Sequence, residues 1–159
     1  MPSGTLQPSS RMCFICGVEN PVSPKLRFYQ LQPGLVEAHY TAPLHFQGYP
    51  GILHGGIIAA ILDEISGRAW MGVGEHLRFM FTAKLDVLYR KNVPIGKPLR
   101  LVGKAGQDRG RSATAWGGIY NAESGELLAE CNSILVNVPQ EKLPPAALID
   151  PGWRVYPEE

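Results

Sequence analysis

The chain has 159 residues, 45% of them hydrophobic and 18% charged, which suits one globular core. With 15 Lys and Arg against 14 Asp and Glu, the formal net charge of +1 does not suggest the basic surface of a nucleic-acid binder, and no acidic block suggests a solvating tail. No run approaches the roughly 18 to 20 apolar residues of a membrane helix, the opening MPSGTLQPSSRMCFICG lacks a basic-then-apolar signal pattern, and three cysteines cannot all pair within one chain. A cytoplasmic protein with no membrane and no nucleic-acid partner is expected.

Residues 1–12 read as a polar N-terminal tail, and residues 139–159, with Pro139, Pro144, Pro145, Pro151 and Pro157, as a Pro-rich C-terminal tail. A single domain over 13–138 remains. Leu26–Gln30 and Leu35–Thr41 predict two strands around the turn residues Pro33-Gly34. The Ala/Ile/Leu content after Pro50-Gly51 predicts a helix over Gly55–Met71. Ile57, Ile58, Ala59, Ala60, Ile61, Leu62, Ile65, Ala69 and Trp70 cannot share one narrow stripe, so that helix should be buried.

Four β-rich segments follow, at Leu77–Arg90, Leu99–Ala105, Ser112–Tyr120 and Glu126–Val138. Gly103–Arg111 has the glycines and basic residues of a phosphate loop but no Gly-Lys-Ser/Thr ending, and reads as a hairpin. Two strands, one buried helix and four strands imply an α+β domain whose curved antiparallel sheet wraps one long central helix.

Chemistry concentrates at Gly51-Ile52-Leu53-His54-Gly55-Gly56 and at Asp63 and Glu64 in the apolar run that follows. Adjacent glycines at a helix start permit close backbone approach, and the unsatisfied N–H groups of the first turn favour an oxyanion. An acid in a buried helix is costly unless it is paired or stands at a site, which makes Asp63 a candidate catalytic carboxylate. A glycine-mediated helix entry with a satisfied structural Asp is the alternative on spacing alone. Glu64 lies about 100° further around the helix, so only one of the two acids should face the site; Asp63 is expected there.

His54-Gly55-Gly56, the helix acid Asp63 and the strand Phe81-Thr82-Ala83-Lys84-Leu85-Asp86 resemble the hotdog-fold thioesterases of the PaaI-like group. Cys13-Phe14-Ile15-Cys16-Gly17 with Asn20-Pro21 is similar to a branch that opens on a CxxCG element. The resemblance implies a hotdog fold and hydrolysis of an acyl-CoA thioester in a site shared by two subunits, as a homodimer or dimer of dimers. It further implies that the Gly55 N–H stabilises the oxyanion, that Asp63 acts as general base or nucleophile, that Thr82 positions water or carboxylate, and that His54 orients the thioester. Many members carry Asn or Gln where this chain has Gly48; Gln47, one residue earlier, is the expected substitute. Gly56 joins them on the substrate side.

Lys104, Arg109 and Arg111, with Arg90 and Lys91, are candidates to meet CoA phosphates, against a solvated-surface alternative. Two other functions remain: a non-catalytic acyl-CoA or lipid binder on the same fold, and a dehydratase, whose Asp/His loop pattern is missing here. No cofactor and no metal are expected. Cys13 and Cys16 offer half a zinc site and read instead as small structural residues, since the other ligands would have to come from Cys131 and a distant His.

Overall fold

The computed structural model describes residues 3–139 and 153–156. In chain order its elements are β1 (Thr5–Leu6), β2 (Tyr29–Gln32), β3 (Leu35–Thr41), a 3-10 turn (Leu44–Phe46), α1 (Gly55–Met71), β4 (Met80–Tyr89), β5 (Pro98–Asp108), β6 (Ser112–Asn121) and β7 (Leu127–Asn137). The seven strands form one antiparallel sheet in the order β1-β2-β3-β5-β6-β7-β4. Among the described residues β4 pairs only with β7 and so forms a free edge.

α1 packs against β3 through β7. Ile58, Ile61, Leu62, Ile65 and Ala69, at helical spacing, bury the face that meets the sheet. The helix lies close because Gly103 of β5 and Gly117 of β6 stand opposite each other in the ladder. A Cβ on Gly103 would sit 2.1 Å from the Ile65 carbonyl oxygen, and one on Gly117 would sit 3.0 Å from Ile65 Cγ2 and 3.2 Å from the Leu62 carbonyl oxygen. The two glycines thus cut a notch that seats the helix backbone. Gly72, with φ +81°, ends the helix.

The helix agrees with the predicted span, and β3 to β7 fall on the predicted strands within a few residues. The first strand differs: Leu26 and Phe28 are buried core residues, and the ladder of β2 starts only at Tyr29. Of the predicted N-terminal tail, the described residues 3–12 dock on the fold. β1 adds a strand to the sheet, and Gln7, 1% exposed, donates from Nε2 to the carbonyls of Arg68 and Gly72 at 3.1 and 3.2 Å. A buried amide thus satisfies carbonyls that the end of α1 leaves open. Ser9 bridges to Arg154, and Trp153 packs its ring 5.4 Å from that of Phe79, so part of the predicted C-terminal tail also docks. Residues 140–152 and 157–159 of that tail lie outside the described residues. Among the described residues no helix is long and apolar enough to cross a membrane.

Candidate active site

His54 caps α1: its Nδ1 accepts the Gly56 N–H at 2.9 Å, and its carbonyl accepts the Ile57 and Ile58 N–H groups at 3.0 Å each. With Nδ1 an acceptor, the neutral ring carries its proton on Nε2. Among the described residues no group accepts the Gly55 N–H, which is left as the donor of the first turn. The Gly55 carbonyl accepts the Tyr89 hydroxyl at 2.7 Å, tying the helix start to the end of β4. Tyr89 had no signal in the sequence; the packing of α1 on β4 brings it to Gly55.

The loop before the helix is built on close approach. A Cβ on Gly48 would stand 3.1 Å from His54 Cα, so a residue with a side chain there would press on the cap. Gln47 does stand beside it, and its Oε1 accepts the Gly51 N–H at 2.8 Å, bracing the loop. Gln47, Gly48, Tyr49, His54, Gly55 and Tyr89 line an open cleft of about 650 Å³ that continues over Arg90 and Lys91.

Two turns further on, Asp63 accepts the Thr82 hydroxyl at 2.5 Å. Glu64 turns elsewhere: its Oε1 accepts Arg68 Nε at 2.8 Å. The structure therefore brings Asp63 and Thr82 together, and His54, Gly55 and Gly56 together, but on one chain the two groups are separate. Eight residues of helix, about 12 Å of axis, lie between Gly55 and Asp63.

Arg90 stands at the cleft paired with Glu130, and Lys91 is paired with Glu126 at 2.5 Å. The Arg90 hydrogen bond, with one from Trp116, holds the Glu130 carboxyl below its ordinary range. Arg109 and Arg111 are not at this cleft: they form the turn between β5 and β6, beside Asn137, which pairs with Met80 at the opposite end of β4 from Tyr89. The expectation that Arg109 and Arg111 join Arg90 fails within one chain, because β5 runs on to Asp108 and carries the turn past the far end of the strand.

Cys13 and Cys16 are free thiols. The acidic side chain beside them is Glu64, a residue the sequence did not point to for this cluster: the two sulfurs and a Glu64 oxygen lie within 4.8 Å of one another. A hydrogen bond from the Cys16 thiol is the main cause that lowers the Cys13 thiol to about 7, and the same bond raises that of Cys16. Burial pushes the third thiol, Cys131, up to about 11.

Residues 50–128 match the model of the thioesterase superfamily. The chain is similar to acyl-coenzyme A thioesterase THEM4 of Mus musculus, 28% identical over 103 residues that cover 65% of this chain and 43% of that protein. It therefore spans less than half the length of this curated relative. A thioesterase superfamily protein of known crystal structure is 32% identical with a TM-score of 0.71, covering 79% of this chain and 63% of its own. A hypothetical thioesterase protein from Streptococcus pneumoniae, crystallised with coenzyme A, shares the fold at 19% identity and a TM-score of 0.64, with 72% and 87% of the two chains covered. One long helix on a curved antiparallel sheet, the matched segment running from the glycine-rich helix entry into β7, and the agreement of these relatives place residues 50–128 of the chain in the thioesterase superfamily, on a hotdog fold.

Proposed function

We propose that the protein hydrolyses an acyl-CoA thioester to the free acid and CoA, in two equivalent sites of a homodimer. The observation that carries the reading is the division of the chemistry: a free N–H at Gly55 and a Thr82-held carboxylate at Asp63, too far apart on one helix to serve one thioester carbon.

The free edge supports the pairing. β4 presents Phe81, Leu88 and Tyr89 to solvent, 51 to 54% exposed, beside unpaired backbone groups. Two β4 edges joined antiparallel about a two-fold axis between Leu85 and Asp86 set Thr82 of one subunit opposite Tyr89 of the other. Asp63 follows Thr82, and Gly55 follows Tyr89, so donor and base meet across the interface. The same pairing carries the 109–111 turn of the partner subunit toward Arg90, gathering Arg90, Arg109 and Arg111 for the CoA phosphates.

In the reaction, the thioester carbonyl takes the Gly55 N–H, whose loss in an oxyanion hole costs about 3 to 4 kcal/mol. His54 holds the Gly56 N–H through Nδ1 and turns its Nε2 proton outward. Asp63, aligned by the Thr82 hydroxyl, takes a proton from the attacking water, and the thiolate of CoA leaves on collapse of the tetrahedral intermediate. A name that includes acyl-coenzyme A in one relative and bound coenzyme A in a neighbour of the same fold support this substrate class.

A non-catalytic acyl-CoA binder is favoured by one observation: Gly48 offers no side-chain donor where the resemblance expects Asn or Gln. Thiol release from short, long and aromatic acyl-CoAs, run beside calorimetric binding of the same compounds, decides between them. Turnover of at least one acyl-CoA that falls about 100-fold or more in Asp63→Asn supports hydrolysis; binding without turnover supports the carrier.

A further inference from the structure

Cys13, Cys16 and Glu64 lie outside the proposed active site, and three features mark their geometry as a built ligand set. The first is the turn. The N–H groups of Ile15 and Cys16 both point at Cys13 Sγ, at 3.4 Å each, and the Ser10 N–H points at Cys16 Sγ at 3.5 Å. Backbone donors aimed at both sulfurs fix their orientation within the turn. Gly17 closes the turn, its N–H bonded to the Cys13 carbonyl at 2.8 Å; a Cβ there would sit 2.3 Å from that oxygen, so no side chain fits.

The second feature is the carboxylate. Glu64 divides its oxygens: Oε1 is held by Arg68 Nε at 2.8 Å, while Oε2 lies 4.0 Å from Cys13 Sγ. A ligand oxygen oriented by a hydrogen bond to its neighbour is the usual support of a metal site. In a tetrahedral zinc site two thiolate sulfurs stand about 3.7 Å apart, so donors already within 4.8 Å need to close by only about 1 Å.

The third feature is charge. Arg68 is 1% exposed, and its Nη2 has no hydrogen-bond partner among the described residues. Among the described residues its one ion-pair partner is Glu64, with the Phe28 and Trp153 rings stacked 4.4 and 5.2 Å from the guanidinium carbon. A divalent ion on two thiolates and one carboxylate leaves one net negative charge, which the guanidinium balances.

We propose that Cys13, Cys16 and Glu64 bind one zinc ion, with water in the fourth position, clamping the Ser10–Gly17 segment onto α1. Two soft sulfurs with one carboxylate select zinc over magnesium or calcium, which take oxygen donors. The site stands apart from the hydrolase reading and does not depend on it.

The test uses the full chain, stripped with a chelator and kept reduced with a phosphine, and titrated first with Co²⁺ and then with Zn²⁺. The expected result is one cobalt per chain, with thiolate charge-transfer bands and the intense visible bands of a tetrahedral ion, displaced by one zinc. Cys13→Ser should weaken binding at least 100-fold and Glu64→Gln at least tenfold, while Cys131→Ser leaves the spectrum unchanged. Should Cys13→Ser fail to fold, alkylation of the wild-type chain with peptide mapping replaces it: zinc should protect Cys13 and Cys16. Absence of stoichiometric metal, wild-type affinity in Glu64→Gln, or zinc that leaves Cys13 and Cys16 unprotected would overturn the site.

Discussion

Asp63 and Glu64 are chain neighbours that serve different faces of α1. Asp63 accepts the Thr82 hydroxyl at 2.5 Å beside the free sheet edge, whereas Glu64 pairs with the buried Arg68 at 2.8 Å beneath the N-terminal segment. The turn of about 100° per residue converts two adjacent acids into two separate devices.

Their amides should therefore fail differently. Asp63→Asn is expected to cut turnover about 100-fold or more with little change in thermal stability. Glu64→Gln is expected to lower stability by about 3 kcal/mol, because it leaves the Arg68 charge buried without its counter-ion. Thermal unfolding and steady-state kinetics on both variants check the split; turnover lost only in Glu64→Gln would exchange their roles.

In the proposed mechanism Thr82 acts through Asp63, whose carboxylate accepts its hydroxyl, and should affect the chemical step more than binding. Thr82→Val keeps the shape and removes the hydroxyl, and kcat is expected to fall roughly 10- to 100-fold with KM little changed. Thr82→Ser should restore most of the rate. A rise in KM at constant kcat would place Thr82 in substrate binding instead.

Gly103 tests the packing of the helix on the sheet. A methyl group 2.1 Å from the Ile65 carbonyl oxygen must displace α1, so Gly103→Ala is expected to cost about 3 kcal/mol of stability. Gly96, where a Cβ meets nothing within 4 Å, has φ +72° and provides a comparison in which strain comes from the backbone alone. Chemical denaturation of the two alanine variants measures the difference.

Much of this architecture was legible in the sequence. The apolar run after His54-Gly55-Gly56 fixed α1, and turn residues at Pro33-Gly34, Gly96 and Gly125 separated the strands. The roles that escaped depend on partners distant in the chain. Gly103 resembled part of a phosphate loop because its function appears only when the register sets it opposite Gly117 beneath Ile65. Tyr89 gained its contact with Gly55 from the packing of α1 on β4. Gln7 and Ser9 lay in a polar stretch that gave no periodic signal, yet both are buried. Cys13 and Cys16 were half a motif, completed by a glutamate about fifty residues away.

The shared site is tested most directly by complementation between two inactive variants. Gly55→Pro deletes the proposed oxyanion donor at the first helical position, where proline is tolerated; His54 before it is already extended, with φ −58° and ψ 134°. Asp63→Ala deletes the proposed base. Each alone should be nearly inactive. Unfolding and refolding an equal mixture makes half the dimers mixed, and in each of these one site keeps both wild-type groups. About a quarter of wild-type activity should return. If mixed dimers verified by native mass spectrometry, with Gly55→Pro folded, regain no activity, Gly55 and Asp63 do not meet across two chains, and the account is contradicted.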